Sequence, residues 1–177
     1  MFAHESRGGL CQWVPFARSF ARRGYLTLAF DFRGYGRSQT PRRSASSRLA
    51  ADVIAAAKKT RSLGAKKVVL VGASMGGTAV IVAAANARTL INGVIPVSAP
   101  TTYGRMDALK AAPRLQVSVL YLVGAGDEGF NEQARQLYEA TGSPDKRLEI
   151  LDSAQHGVLL APEPAARSLI ESFVAAR

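Results

Sequence analysis

The sequence predicts an α/β fold: a mostly parallel, open sheet of about six strands flanked by helices. Two observations carry this. Short Val/Ile/Leu runs, such as 67–71 (KVVLV) and 117–123 (VSVLYLV), alternate with stretches whose apolar residues recur at helical spacing. The runs are apolar almost throughout instead of alternating, which is what strands covered on both faces require. No repeat, heptad, linker or low-complexity segment interrupts the pattern, so the whole chain, 1–177, reads as one domain.

The elements follow in order. Residues 1–4 (MFAH) read as the tail of a first strand. Residues 12–23 place Trp13, Phe16, Ala17, Phe20 and Ala21 on one helical face, and Gly24 stops that helix. Residues 25–30 (YLTLAF) predict a strand, and 31–44, rich in Gly, Ser and Arg, a loop. A helix is expected over 45–63, ended by Gly64, then a strand over 67–71 running into Gly72. Small residues predict a helix over 74–87, and 93–97 (GVIPV) a strand made locally irregular by Pro96. The strand at 117–123, a helix at 128–140, a strand at 147–151 and a closing helix at 162–175 complete the chain.

Composition narrows the class. The chain has 177 residues, 47% hydrophobic and 20% charged, which excludes a disordered protein. Its apolar runs are too short to span a bilayer, and the N-terminus lacks the layout of a signal peptide. The single cysteine, Cys11, excludes an internal disulfide and a cysteine-rich zinc site. A reducing, cytoplasmic setting is expected.

The charge is uneven. Residues 1–70 hold 14 Lys/Arg against 3 Asp/Glu, whereas residues 71–177 hold 9 against 10. A basic half raises a polyanion as partner. The basic residues, such as Arg42-Arg43 and Lys58-Lys59, are not interleaved with aromatics as in nucleic-acid modules. A solvated face is the preferred reading, and nucleic acid is disfavoured as a partner.

The sharpest motif is Gly72-Ala73-Ser74-Met75-Gly76, a G-x-S-x-G pattern between a predicted strand and a predicted helix. To lift its hydroxyl above the sheet, Ser74 must occupy a tight, strained turn. The positions two before and two after then nearly touch, so both must be small. The amide of Met75 opens the helix and is free to face a substrate oxygen. The same letters resemble the phosphate loop of short-chain dehydrogenases, but position 78 is Thr and none of the five tyrosines has Lys four residues on. No acidic residue ends the next strand to hold a ribose.

A serine needs a base and a group to orient that base. Of the two histidines, His156 follows the last strand and His4 ends the first, so His156 is the candidate base. Asp127 follows the strand at 117–123 through Gly124-Ala125-Gly126 and is the candidate acid, giving the order Ser74, Asp127, His156. Glu128 and Asp152 are rivals for that role. Asp31 reads as structural, tying down the glycine loop that follows it.

These pieces together resemble the α/β-hydrolase superfamily. They are the serine elbow at 72–76, Asp127, His156, and the stretch Gly24-Tyr25 through Asp31-Phe32-Arg33-Gly34-Tyr35-Gly36-Arg37-Ser38, which is similar to the family's G-Y…D-x-R-G-x-G-x-S segment. The resemblance implies acyl transfer to water through an acyl-serine, with a small-molecule acyl substrate and neither metal nor organic cofactor. It also implies a second oxyanion donor just after the first strand, where the family often has His-Gly. Here the pair is His4-Glu5, so the backbone N–H of Glu5 joins that of Met75 as candidate donor. A glutamate there is similar to dienelactone hydrolases, which place one near a cysteine nucleophile. The simpler expectation is that Glu5 points to solvent or pairs with Arg7 or Arg33.

Against the family pattern, the first two strands and a lid are not expected and the chain begins inside its first strand, so it reads as either a minimal six-stranded core or an N-terminally truncated one. Only residues 98–116 separate the fourth and fifth strands, which implies an open site with a shallow acyl pocket around Tyr103, Met106 and Leu109. If the family order holds, the strands lie as 2-1-3-4-5-6, with the switch point between strands 1 and 3 beside Ser74. The expected function is a carboxylesterase-like serine hydrolase. The alternatives are a non-catalytic member of the same fold and a polyanion-binding protein. The residues leave the physiological substrate and the oligomeric state open.

Overall fold

The computed structural model describes residues 1–39 and 48–177. The order of elements is β1 (Phe2–Ala3), a 3-10 turn (Leu10–Trp13), α1 (Val14–Ala21), β2 (Ala29–Phe30), α2 (Leu49–Ser62), β3 (Val69–Ala73), α3 (Met75–Asn86) and β4 (Gly93–Val97). Then come β5 (Thr102–Tyr103), β6 (Met106–Asp107), α4 (Ala108–Ala111), β7 (Ser118–Gly124), α5 (Phe130–Ala140), β8 (Lys146–Leu151) and α6 (Pro164–Ala175). Six strands form one parallel sheet in the order β2-β1-β3-β4-β7-β8, and β5-β6 is a separate antiparallel hairpin. The order is the one the sequence predicts for its six strands.

Side chains alternate across the sheet and build a core on each face. Leu70, Val94, Val119 and Tyr121 face α2, α3 and α5, where they join Val53, Ala57, Ala79 and Leu137. Val71, Ile95, Leu120 and Leu122 face α1 and α6, where they join Phe16, Phe20, Ala166 and Ile170. Both faces are covered, which is why these strands are apolar almost throughout. Trp13 is fully buried and donates its indole N–H to the Ala3 carbonyl at 3.1 Å, tying the 3-10 turn to the end of β1.

Several elements differ from expectation. The strand predicted over 25–30 is reduced to Ala29–Phe30, because β1 offers it only two paired positions, and Tyr25 and Leu26 are exposed. The strand predicted over 67–71 lies two residues later, and the first helix is split by a 3-10 turn ahead of Val14. The helix predicted over 45–63 runs Leu49–Ser62; residues 45–47, like Arg42 and Arg43, lie outside the described residues. Pro96 has the expected effect: β4 pairs with β7 at Val94 and next at Val97, a gap where proline supplies no N–H. The β5-β6 hairpin and α4 lie inside residues 98–116, for which the sequence predicts no element.

Several cations of the basic half have structural work. Arg33 pairs with Asp52 of α2, Arg23 with Glu171 of α6, and Arg61 donates to backbone carbonyls of Leu90 and Lys66. Among the described residues, no helix is long and apolar enough to cross a membrane.

Candidate active site

The site lies beyond the C-terminal ends of β1, β3, β4, β7 and β8. Ser74 joins β3 to α3 with φ 48° and ψ −115°, a backbone region that costs an L-residue strain. Its amide donates to the Val97 carbonyl at 2.9 Å, so the turn is held against the end of β4. The spacing of small residues has a direct steric cause. A Cβ on Gly72 would lie 2.6 Å from the carbonyl carbon of Gly76, and one on Gly76 would lie 2.7 Å from the His4 carbonyl oxygen. The elbow therefore closes on itself and on the end of β1. Met75 opens α3, so its N–H has no acceptor one turn back within the helix.

Asp127 and His156 meet from adjacent strands. Nδ1 of His156 lies 3.0 Å from Oδ1 and 2.9 Å from Oδ2 of Asp127. A carboxylate accepts here, so Nδ1 carries the proton and Nε2 is left as a base. The Asp127 side chain is nearly buried, whereas that of His156 is one-third exposed. Glycines make the approach possible. A Cβ on Gly124 would lie 3.1 Å from the Gln155 carbonyl oxygen, and one on Gly126 would lie 3.1 Å from Cβ of Ala154. Phe130, at the start of α5, packs against the imidazole with ring centroids 4.3 Å apart and the rings tilted by 55°. The rivals Glu128 and Asp152 are both exposed, and neither bonds His156.

Ser74 Oγ makes no hydrogen bond to His156 among the described residues. The two are nonetheless neighbours through the chain: a Cβ on Gly157, next to His156, would lie 3.5 Å from Cβ of Ala73, next to Ser74.

At the end of β1, His4 is fully buried. Its Nδ1 donates to the Glu5 carbonyl at 2.8 Å, and its Nε2 accepts from the Phe32 amide at 3.1 Å. Burial holds the His4 imidazole below its ordinary value, so it is a neutral structural group. The Glu5 N–H donates to no acceptor among the described residues. The Glu5 side chain corrects the expectation of a solvent-facing or arginine-paired group. Oε1 accepts from Gln12 Nε2 at 3.1 Å and Oε2 from the Val158 amide at 3.0 Å, while Arg33 is engaged by Asp52.

Asp31 fills the structural role expected of it. Its carboxylate accepts from the amides of Leu10 at 2.7 Å and Arg37 at 3.1 Å, and its carbonyl from Ser38 Oγ at 2.7 Å. The acyl pocket expected around Tyr103, Met106 and Leu109 needs correction: Met106 is buried in the core, Leu109 is exposed, and Tyr103 packs against the core edge. Tyr35 donates its hydroxyl to Sδ of Met75 at 3.4 Å, and burial beside Tyr103 pushes that phenol up to about 12. Ser98 directly follows β4, Gln12 lies in the 3-10 turn and Phe130 opens α5, and no sequence pattern singles out any of the three. Among the described residues no three His, Cys, Asp or Glu side chains converge as metal ligands would.

Comparison with known proteins bears on the fold. Residues 7–111, more than half of the chain, match the family described as alpha/beta hydrolase fold. The chain belongs to that family, a hydrolase fold with a serine elbow motif at 72–76. Among solved structures it is similar to a monoacylglycerol lipase of Paleococcus ferrophilus (TM-score 0.81, 20% identity, covering 99% of this chain and 93% of that one). It is also similar to the esterase Pf2001 of Pyrococcus furiosus (0.79, 18%, 99% and 81%) and to a dienelactone hydrolase of Anabaena variabilis (0.75, 24%, 99% and 82%). At these identities the likeness is one of fold. No curated protein matches the sequence.

Proposed function

We propose that the protein is a serine hydrolase that cleaves carboxylic esters or related small acyl compounds through an acyl-serine intermediate. The observation that carries this reading is the strained Ser74 turn beside a histidine whose Nδ1 is held by a nearly buried carboxylate. Ser74 Oγ attacks the acyl carbon as His156 Nε2 takes its proton. Asp127 keeps the imidazole in the useful tautomer and steadies its cationic form. The amides of Met75 and Glu5 receive the developing oxyanion. His156 then returns the proton to the leaving alcohol, and water repeats the sequence on the acyl-serine. None of these steps calls for a metal or organic cofactor.

A fluorophosphonate probe tests the reading. The wild type is expected to label at one site and to turn over a short nitrophenyl ester, and Ser74→Ala to do neither. Equal labelling of both proteins would end it.

A further inference from the structure

We propose that Glu5 and Ser98 are positioning residues for His156, capping from two other strands the short helical turn that the histidine begins. The proposal rests on the serine-hydrolase reading for its consequence in catalysis.

The turn Gly157–Leu159 has a supply problem. The first amides of any helical turn have no partner within it and normally turn to the side chain of the residue before. That residue is His156, whose ring is committed to Asp127. The caps come from elsewhere. Ser98 Oγ, just past β4, accepts from the Gly157 amide at 3.0 Å, and Glu5 Oε2, just past β1, accepts from the Val158 amide at 3.0 Å. The backbone immediately after the histidine is thus gripped at two successive amides.

Each gripping residue is itself fixed. Ser98 is fully buried, has φ 50°, and donates its amide to the Leu122 carbonyl at 2.8 Å. A serine held in that strained conformation, inside the protein, directs its hydroxyl at one amide. Glu5 is stretched between two donors, Gln12 Nε2 and the Val158 amide. A carboxylate can accept at both ends, whereas a glutamine would turn an NH2 group toward one of them. Gly157 completes the fit: its φ is +53°, and a Cβ there would overlap Glu5 Oε2. The Glu5 amide is also the proposed second oxyanion donor, so one residue ties the oxyanion site to the loop carrying the base. Loosening the caps lets the imidazole drift relative to Ser74 without touching substrate.

The test compares Glu5→Ala, Glu5→Gln and Ser98→Ala with the wild type. Two readouts are taken on protein shown by its buried Trp13 fluorescence to unfold cooperatively. One is kcat and KM on a short nitrophenyl ester. The other is the downfield proton NMR signal of the His156 Nδ1–H, which needs no activity. Expected is a fall in kcat of the order of 10–100-fold in Ser98→Ala and Glu5→Ala with KM little changed, as for misplacement of a reacting group. Glu5→Gln, which keeps one acceptor, should lie between Glu5→Ala and the wild type. The Nδ1–H signal should broaden in the same order. If Glu5→Ala fails to fold, Ser98→Ala and Glu5→Gln carry the test. An unchanged NMR signal with unchanged kcat overturns the proposal. So does a raised KM at constant kcat, which would make the carboxylate a substrate contact. A wild type without turnover or Ser74 labelling defeats the hydrolase reading instead, and the NMR signal still decides the capping.

Discussion

The His156 imidazole and the Asp127 carboxylate are joined almost symmetrically, Nδ1 lying 3.0 Å from one oxygen and 2.9 Å from the other. Both oxygens therefore restrain the ring, and Phe130 packs against it at a tilt. Asp127→Asn keeps the shape but offers an NH2 group where an acceptor is needed, which favours the wrong tautomer. On the proposed mechanism kcat for a short nitrophenyl ester falls by about 10⁴-fold, the size of such a change in a serine-protease triad. Steady-state kinetics, with circular dichroism to confirm the fold, check this.

The elbow glycines make a stability prediction that stands whether or not the protein is an enzyme. At Gly76 an added methyl meets backbone of β1, and at Gly72 backbone of Gly76, so no side chain can swing away. Gly72→Ala and Gly76→Ala are each expected to lose about 1–3 kcal/mol, the usual cost of overpacking. Gly129→Ala is a useful contrast, since a Cβ there meets nothing within 4 Å and its cost comes only from φ +77°. Urea midpoints of the three variants measure the difference.

These two cases show why parts of the molecule were legible in sequence. The elbow is a local steric rule over five residues, and β4, an unbroken apolar run between turn signals, was bounded to the residue at Gly93–Val97. The order Ser74, Asp127, His156 singled out two residues that the structure holds in contact. The rest depends on partners. Only two residues of the YLTLAF run became strand because β1 pairs with no more of it. The β5-β6 hairpin has two-residue strands, too short for periodicity to register. The Glu5–Val158 contact spans 153 positions, and no local pattern announces it.

His4 should give the fold a pH dependence. Burial is the largest influence on its imidazole and holds it below the ordinary 6.5, against the opposing pull of the Glu5 carbonyl, Asp31 and Glu5. The unfolded chain thus binds a proton at pH values where the folded chain does not. Stability from this site is complete above about 6.5 and is lost as the pH falls below it. The melting temperature should drop between about pH 7.5 and about pH 5.5, and drop less in His4→Gln, which has no titrating ring. Parallel slopes for the two proteins would show that His4 is not the group responsible.

Arg33 and Asp52 fasten the loop after β2 to the first turn of α2. Arg33 Nε lies 2.8 Å from Oδ1 and 2.9 Å from Oδ2, and the Arg33 amide donates to Oδ2 at 3.2 Å. The pair is partly screened from solvent, and its forked geometry is the kind that survives screening better than a lone contact. A double-mutant cycle with Arg33→Met and Asp52→Asn should return a coupling of about 1 kcal/mol, the upper end for exposed pairs. Raising the salt concentration should reduce it only in part.

The segment between β4 and β7 sets an expectation for acyl length. Its residues are already committed to the fold. Met106, Ala108 and Ala111 are buried in the core, the Thr101 amide donates to Gln133 Oε1 at 2.9 Å, and Asp107 accepts from the Lys110 amide at 2.8 Å. Thr78 Oγ1 donates to the Pro100 carbonyl at 2.8 Å, pinning the start of the segment to α3. An element held this way cannot swing aside to open a long apolar tunnel, and burying a long acyl chain would require one, since each buried methylene contributes only about 0.8 kcal/mol once covered. On the proposed function, kcat/KM should be highest for acetyl and butyryl esters and at least tenfold lower for the palmitoyl ester, a difference of about 1.4 kcal/mol in transition-state binding. The rate should also show no jump when substrate passes from solution to micelles. A palmitoyl preference, or a jump at the micelle boundary, would mean that this segment moves despite its contacts.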